Sequence, residues 1–317
     1  MNQKKTHKRQ HFIPEFYLKA WLDSKFSKKD KGIFWLFSKD GSYVRSMSPT
    51  NTYVETDFYT ISEITGERDL SLEERLARIE GLFGDLRNNK LIKHTDLTLN
   101  DKGILAIFVA TLHARTQKRR DHNRSLWKNV LDLGDKMIEW EKNATPEQRK
   151  YLSKSQGIFQ PSVIETLTYE DVKLIVDQPV QTLMDSEVVA FTKILLKMNL
   201  SILFTKNKRG FITSDSPVVF SDPEIGRNGF RGYALGSQTI RILCPLTPSL
   251  LVLITHKHPE GYFEIDDLVL EEINRLVRTR ANKNFIVNSK LTEPYWFSKF
   301  LDARLLKPKN SPIYTNF

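Results

Sequence analysis

Apolar positions along the 317-residue chain recur with two different periods, and the changes of period divide it into three stretches. In the first, residues 1–65, short alternating runs dominate. Ile33–Phe37 and Tyr43–Met47 flank Lys39-Asp40-Gly41-Ser42, and an Asp-Gly pair between such runs predicts a hairpin. Thr52–Thr60 sets Val54, Thr56 and Phe58 on one face against Glu55 and Asp57 on the other, which predicts a third strand. Ahead of these, Ile13-Pro14-Glu15 opens a short helix with proline at its first position and Phe16, Leu18 and Trp21 as apolar contacts.

The middle stretch, residues 70–198, follows the helical period. Ser71 and Glu74 have the spacing of a capping box, and Leu72, Leu76, Ile79, Phe83 and Leu86 recur every three or four positions after it. Thr98 or Asn100 then caps a long helix that runs past Arg120, breaks and resumes to Lys142. Thr145-Pro146-Glu147 starts another, Gly157–Pro161 reads as a linker, and helices cover Tyr169–Val176 and Val180–Met198. From residue 199 the pattern returns to strands, at Ser201–Thr205, Phe211–Thr213, Pro217–Phe220, Thr239–Cys244 and Leu250–Thr255. A helix at Asp267–Ala281 and a strand at Asn284–Asn288 close the series. Strands, then helices, then strands predict an α+β fold. Its mixed or antiparallel sheet is built from N- and C-terminal strands around a large helical middle, as one composite unit over 1–317.

One position breaks the helical pattern. In Gly103–Thr116 the buried stripe runs Ile104, Phe108, Thr111 and Arg115, because eleven residues at ~100° bring Arg115 back to within ~20° of Ile104. A guanidinium does not shed its proton, so burying it demands an anion, from the same chain or from a ligand. Glu80, at the edge of its helix's apolar stripe, and Glu73, two turns earlier, are the candidate carboxylates. Beyond Arg115, the cations Arg119, Arg120, His122 and Arg124 could form a ramp for a phosphate chain, or a solvated helix end. The clusters Lys206–Arg209 and Arg275–Lys283 could widen that ramp.

Three further groups carry candidate chemistry. His11, just before the first helix, is suited to be a general base, a metal ligand or a phosphate contact, or else to bond a backbone carbonyl. Glu55 and Asp57, ~7 Å apart along one strand face, could share a divalent cation or simply face water. Thr213-Ser214-Asp215-Ser216-Pro217 puts a hydroxyl and a carboxylate between two apolar runs, as an Asx-turn or as ligand-orienting groups. It lacks the glycines of a nucleophile elbow.

Composition narrows the classes. Apolar residues make up 40% and charged ones 27%, which is ordinary for a globular chain. The net charge of +10 favours polyanionic partners. The single cysteine, Cys244, excludes an intrachain disulfide framework and multi-cysteine zinc sites. No apolar run reaches ~20 residues, and MNQKKTHKRQHF lacks the apolar core of a secretory signal, so a soluble cytoplasmic protein without membrane contact is expected. Phosphate-binding glycine loops and dinucleotide fingerprints are absent, and His256 with His258 makes only an incomplete metal set.

HFIPEFYLKAW, YVETDFY, LEERLARIE, LHART, and ITSDSPVVF followed by CPLTP together resemble the bacterial family known as domain of unknown function 4238. The match runs in order along nearly the whole chain and includes Asn274. Ser216 stands where the family more often has asparagine. The resemblance implies no reaction, but it marks His11, Glu55, Glu80, Arg115, Ser214 and Asp215 as motif positions. Polar groups of opposite charge scattered through apolar segments are most readily satisfied by one another, so they are expected to converge.

The expectation is a metal-dependent phosphodiesterase or nuclease acting on nucleic acid or a nucleotide. Glu55, Glu80 and Asp215 would hold Mg²⁺ or Mn²⁺, Arg115 would clamp the phosphate, His11 would move a proton, and Ser214 would support them. The rival is a non-catalytic nucleic-acid- or partner-binding protein, such as a component of bacterial stress or phage defence. A small-anion sensor is the third class.

Overall fold

The computed structural model describes residues 9–26, 32–62, 68–155, 167–224 and 234–297. The N-terminal part supplies β1 (Arg9–His11), α1 (Glu15–Leu18), β2 (Phe34–Ser38), β3 (Val44–Met47), β4 (Val54–Thr56), β5 (Ile61–Ser62) and β6 (Arg68–Asp69). The helical middle follows with α2 (Ser71–Leu86), α3 (Leu99–Ala114), α4 (Gln117–Asn143), α5 (Pro146–Ser155), α6 (Tyr169–Asp177) and α7 (Pro179–Leu195). The last part holds β7 (Asn199–Phe204), β8 (Thr213–Ser214), β9 (Val219–Ser221), β10 (Arg241–Thr247), β11 (Leu250–Thr255), β12 (Gly261–Glu264), α8 (Asp267–Arg280) and β13 (Asn284–Val287). The fold is α+β, as expected. No helix among the described residues is long and apolar enough to cross a membrane.

Two sheets organise these strands. One is five-stranded, in the order β12-β7-β11-β10-β9, antiparallel except where β12 runs parallel to β7. The other, β3-β2-β13-β8, is antiparallel and joins N-terminal to C-terminal strands. Residues of β10 and β11 alternate between two apolar cores: Ile242, Cys244, Val252 and Ile254 pack with α2, α3 and α7, while Leu243, Leu251 and Leu253 pack with α8, Phe285 and Val287. Burial on both faces explains why these strands read as continuous apolar runs without alternation.

The N-terminal motif docks onto the C-terminal strands. Tyr17 donates its hydroxyl hydrogen to the Pro245 carbonyl at 2.7 Å and lies 2.7 Å from Thr213 Oγ1, and Trp21 Nε1 donates to the Phe211 carbonyl at 2.8 Å. Asn274 is fully buried and bridges the same segment: its Oδ1 accepts from Ile212 N, and its Nδ2 donates to the Gly210 carbonyl.

Several local expectations need correction. The strand expected over Thr52–Thr60 holds only for Val54–Thr56, because Tyr53 (φ 57°) and Asp57 (φ 54°) adopt left-handed backbone on either side. Glu55 and Asp57 therefore do not share a strand face. Its partner β1 and the edge strand β12 are too short to carry a period. At α2, Asp69 accepts from Ser71 N and Ser71 Oγ, so the aspartate rather than a serine box covers the helix start. Thr98, not Asn100, caps α3 and completes a box with Asp101. The Asp40-Gly41 hairpin is observed, with Gly41 at φ 80°. The Gly157–Pro161 linker lies outside the described residues.

Candidate functional site

Arg115 is only 3% exposed, and its anion comes from its own chain. Nη1 donates to Glu80 Oε1 at 2.6 Å, Nε to the Tyr59 hydroxyl at 2.7 Å, and Nη2 to the His11 carbonyl at 2.5 Å. Burial pulls the guanidinium down, but Tyr59 and Glu80 outweigh it and hold Arg115 above its ordinary value. Burial in turn pushes the Tyr59 hydroxyl up to about 12, so it remains a neutral donor to the His11 carbonyl at 3.1 Å. Glu73 instead accepts from Gln10 Nε2. This cluster ties β1, α2 and the end of α3 together without presenting the guanidinium to a ligand.

The other expected site residues are likewise engaged. His11 Nε2 lies 3.1 Å from the Pro49 carbonyl, so it carries the proton and acts as a structural donor. Glu55 accepts from Arg120 Nη1 at 2.5 Å and from Gln117 Nε2 at 2.7 Å. Asp215 receives the backbone N–H groups of Asn282, Lys283 and Asn284 at 2.7, 2.7 and 3.0 Å, stapling the turn after β8 to the loop before β13. Ser214 is fully buried and accepts from Ser216 N, a position unsuited to a nucleophile. Glu55, Glu80 and Asp215 thus do not form one ligand set. Among the described residues no three His, Cys, Asp or Glu side chains are grouped to hold a metal ion. His256 and His258 bond separate partners, the Leu235 carbonyl and Ser201 Oγ.

The proposed cationic ramp along α4 is mostly neutralised within the chain. Arg119 forks onto Glu187, Arg120 onto Glu55, and Arg124 Nε donates to the Val176 carbonyl at the end of α6. Arg209 similarly pairs with Glu271 and Glu293, and Lys206 with Glu264.

What the structure does assemble is a cavity of about 350 Å³ at the joint between α3 and α4. The joint exists because Arg115 leaves the helix (φ −85°, ψ 5°) and Thr116 caps α4, its Oγ1 accepting from Arg119 N at 3.2 Å. His113, Thr116, Lys118, Arg119 and His122 line one side, Ser216, Val218 and Phe220 another, and Arg280 a third. Among the described residues no carboxylate lines it, although the charge of neighbouring Asp215 acts on Lys118. Burial first, and then the charges of Lys39 and Arg280, lower the Lys118 ammonium from its ordinary value. Lys39 is lowered by burial and by Arg278 and Arg280, against the opposing charge of Asp215. Each lysine gives one hydrogen to the frayed end of α8, Lys118 to the Arg280 carbonyl at 3.0 Å and Lys39 to the Ala281 carbonyl at 2.8 Å. An ammonium has three donors.

The apolar wall of this cavity is aromatic. His113 lies 5.3 Å from Phe191 and 5.1 Å from Phe220, ring centre to ring centre. Burial, then the charges of Arg119, Lys118 and His122, push its imidazole down to about 3, so it is neutral near pH 7. Ser216 is 93% buried, yet its Oγ has no hydrogen-bond partner among the described residues. A buried hydroxyl without a partner, in the lining of a cavity, has its donor and acceptor capacity unused within the described residues.

A family model described as a protein of unknown function, DUF4238, matches residues 9–291. The chain belongs to this family. No curated protein matches it, and no solved structure does. In this DUF4238 chain the expected site residues Arg119 and His122 line the cavity and Asp215 precedes its Ser216, while His11, Glu55, Glu80, Arg115 and Ser214 are not among its lining residues. His113 and Lys118 were not singled out from the sequence, while Ser216 was named only within the TSDSP turn and Arg280 only within the Arg275–Lys283 cluster. The available signal was positional: His113 sits in LHART, two residues before the buried arginine, and Ser216 inside the TSDSP turn.

Proposed function

We propose that this DUF4238 protein binds a phosphate-bearing ligand, a nucleotide or the terminal nucleotide of a nucleic acid, in the cavity at the α3–α4 joint. The observation that carries this reading is the group of cations Lys118, Arg119 and Arg280 lining the cavity beside the buried Ser216 hydroxyl, which has no partner among the described residues. A phosphate would accept from the ammonium and guanidinium groups and from Ser216 Oγ. His113 and Phe220, set edge to face at 69°, offer an apolar wall to a base or sugar. A cavity of about 350 Å³ suits one nucleotide and not a duplex.

This reading favours binding over hydrolysis, because the carboxylates expected to hold Mg²⁺ or Mn²⁺ are committed elsewhere. The test is calorimetric titration with adenosine monophosphate, adenosine, and matched oligonucleotides bearing a 5′-phosphate or a 5′-hydroxyl. The phosphorylated members should bind, and Lys118→Met and Arg280→Met should each weaken them at least ~10-fold. Equal binding of adenosine and its monophosphate, or unchanged affinity in both variants, removes the proposal. Labelled RNA and DNA incubated with Mg²⁺ or Mn²⁺ should be recovered intact; cleavage that depends on the metal would restore the phosphodiesterase reading.

A further inference from the structure

The long helix α4 carries an apolar seam that the other described residues leave exposed. Leu126, Val130, Leu133, Met137 and Trp140 are each between 41% and 64% exposed. Their spacing of four, three, four and three residues is the a/d repeat of a two-stranded coiled coil, with Val130 and Met137 at a and Leu126, Leu133 and Trp140 at d. A helix stripe belonging to this chain's own core would be buried, as the stripe of α2 is at Leu72, Leu76, Phe83 and Leu86. The α4 seam also borders a groove of about 1000 Å³ walled by Leu167, Tyr169 and Val172 at the start of α6. Contiguous exposed apolar surface of this kind marks an interaction site.

Charge selects the occupant. The chain as a whole is strongly basic, yet from Leu126 to Lys142 three lysines face four acids. This face neither attracts a polyanion nor repels a second copy. The positions flanking the seam are more selective. Asn129, Lys136 and Asn143 fall at g, and Trp127, Gly134 and Glu141 at e. In a parallel pair each g residue meets the e residue five positions on in the partner helix, which sets Lys136 against Glu141 twice. An antiparallel pair sets g against g and e against e, and then Lys136 finds no acid and Glu141 no base.

We infer that the protein is a parallel homodimer joined along α4 from Leu126 to Trp140, with reciprocal Lys136–Glu141 pairs fixing the register. The helix is already folded in each copy, so association orders little backbone. This interface is independent of the α3–α4 cavity.

Light scattering of the full chain from ~1 to ~100 µM tests it. A species of twice the 36.9 kDa chain mass is expected to grow with concentration. Met137→Glu with Leu133→Glu should weaken the dimer at least ~100-fold while the helical circular dichroism is retained. Lys136→Glu should weaken it several-fold, and adding Glu141→Lys to the same chain should restore it. A monomer at every concentration overturns the inference. So does a dimer that survives the double glutamate variant, or one for which the charge reversal fails to rescue.

Discussion

The Arg115–Glu80 pair allows a sharp test of what the buried cation does. Arg115→Met leaves a side chain of similar length with no charge. Three donated bonds disappear, to Glu80, Tyr59 and the His11 carbonyl. The loss is moderated at two of the three. Tyr59 and the His11 carbonyl keep their mutual bond of 3.1 Å, and the Glu80 side chain is 24% exposed, so water reaches it. Breaking a sealed pair costs about 3–5 kcal/mol; partial access at Glu80 places this substitution near the low end, about 3 kcal/mol. Glu80→Leu alone strands a cation that is almost wholly buried and should cost about as much or more. The double variant leaves neither charge unpaired, and its loss should be well below the sum, with a coupling of about 2 kcal/mol. Urea unfolding of the four proteins measures this directly. Additive losses within about 0.5 kcal/mol would refute the account of one self-satisfied cluster. Arg115→Lys should resemble Arg115→Met, because one ammonium does not reach three acceptors in different directions.

Asp215→Ala removes the acceptor of three backbone N–H groups and should cost about 2–4 kcal/mol in the same unfolding assay, with Asp215→Asn intermediate. Gly210→Ala should lose at least about 2 kcal/mol, since φ is 65° and a Cβ would stand 2.2 Å from the Pro248 carbonyl oxygen; an unchanged melting temperature contradicts that geometry. His113 contributes a pH dependence of known sign. The unfolded chain binds its proton below about pH 6.5 and the folded chain only near pH 3, so stability falls with pH across that window. About 1–2 kcal/mol should be lost between pH 7 and 5, and His113→Phe should flatten that part of the profile. A nucleotide phosphate in the cavity would raise the imidazole, so NMR titration of His113 with and without adenosine monophosphate reads occupancy as well.

Much of the architecture was legible because long elements average over many side chains. The stripe of α2 and the cap at Thr98 each rest on several residues agreeing, whereas the helix expected to run past Arg120 in fact ends at Ala114 and restarts at Gln117. Elements of two to four residues were not legible, as β1, β8 and β12 show; pairing partners, not periodicity, make them strands. Thr52–Thr60 misled because alternation says nothing about φ at Tyr53 and Asp57. Arg115 was read correctly as a buried cation, and Glu80 as one of two possible partners. The step that failed was convergence. Glu55 found Arg120, Asp215 found three amides, and Glu80 found Arg115, so the charges were satisfied in separate pairs. Nothing in spacing along the chain distinguishes one shared cluster from three private ones. The cavity was missed for a related reason, since Ser216, Lys118 and Arg280 meet only through tertiary packing.

The β10–β11 hairpin has a consequence for how this chain must be made. Its two faces are covered by segments that leave the ribosome at different times: α3 and α7 before it, α8 and β13 after it. Until residues near 287 have emerged, Leu243, Leu251 and Leu253 lack the α8 and β13 part of their core, and the nascent protein shows a sticky β surface to its surroundings. A truncation ending at Ile265 should therefore aggregate or be held by chaperones. Restoring the missing helix and strand as a separate peptide should return it to solution.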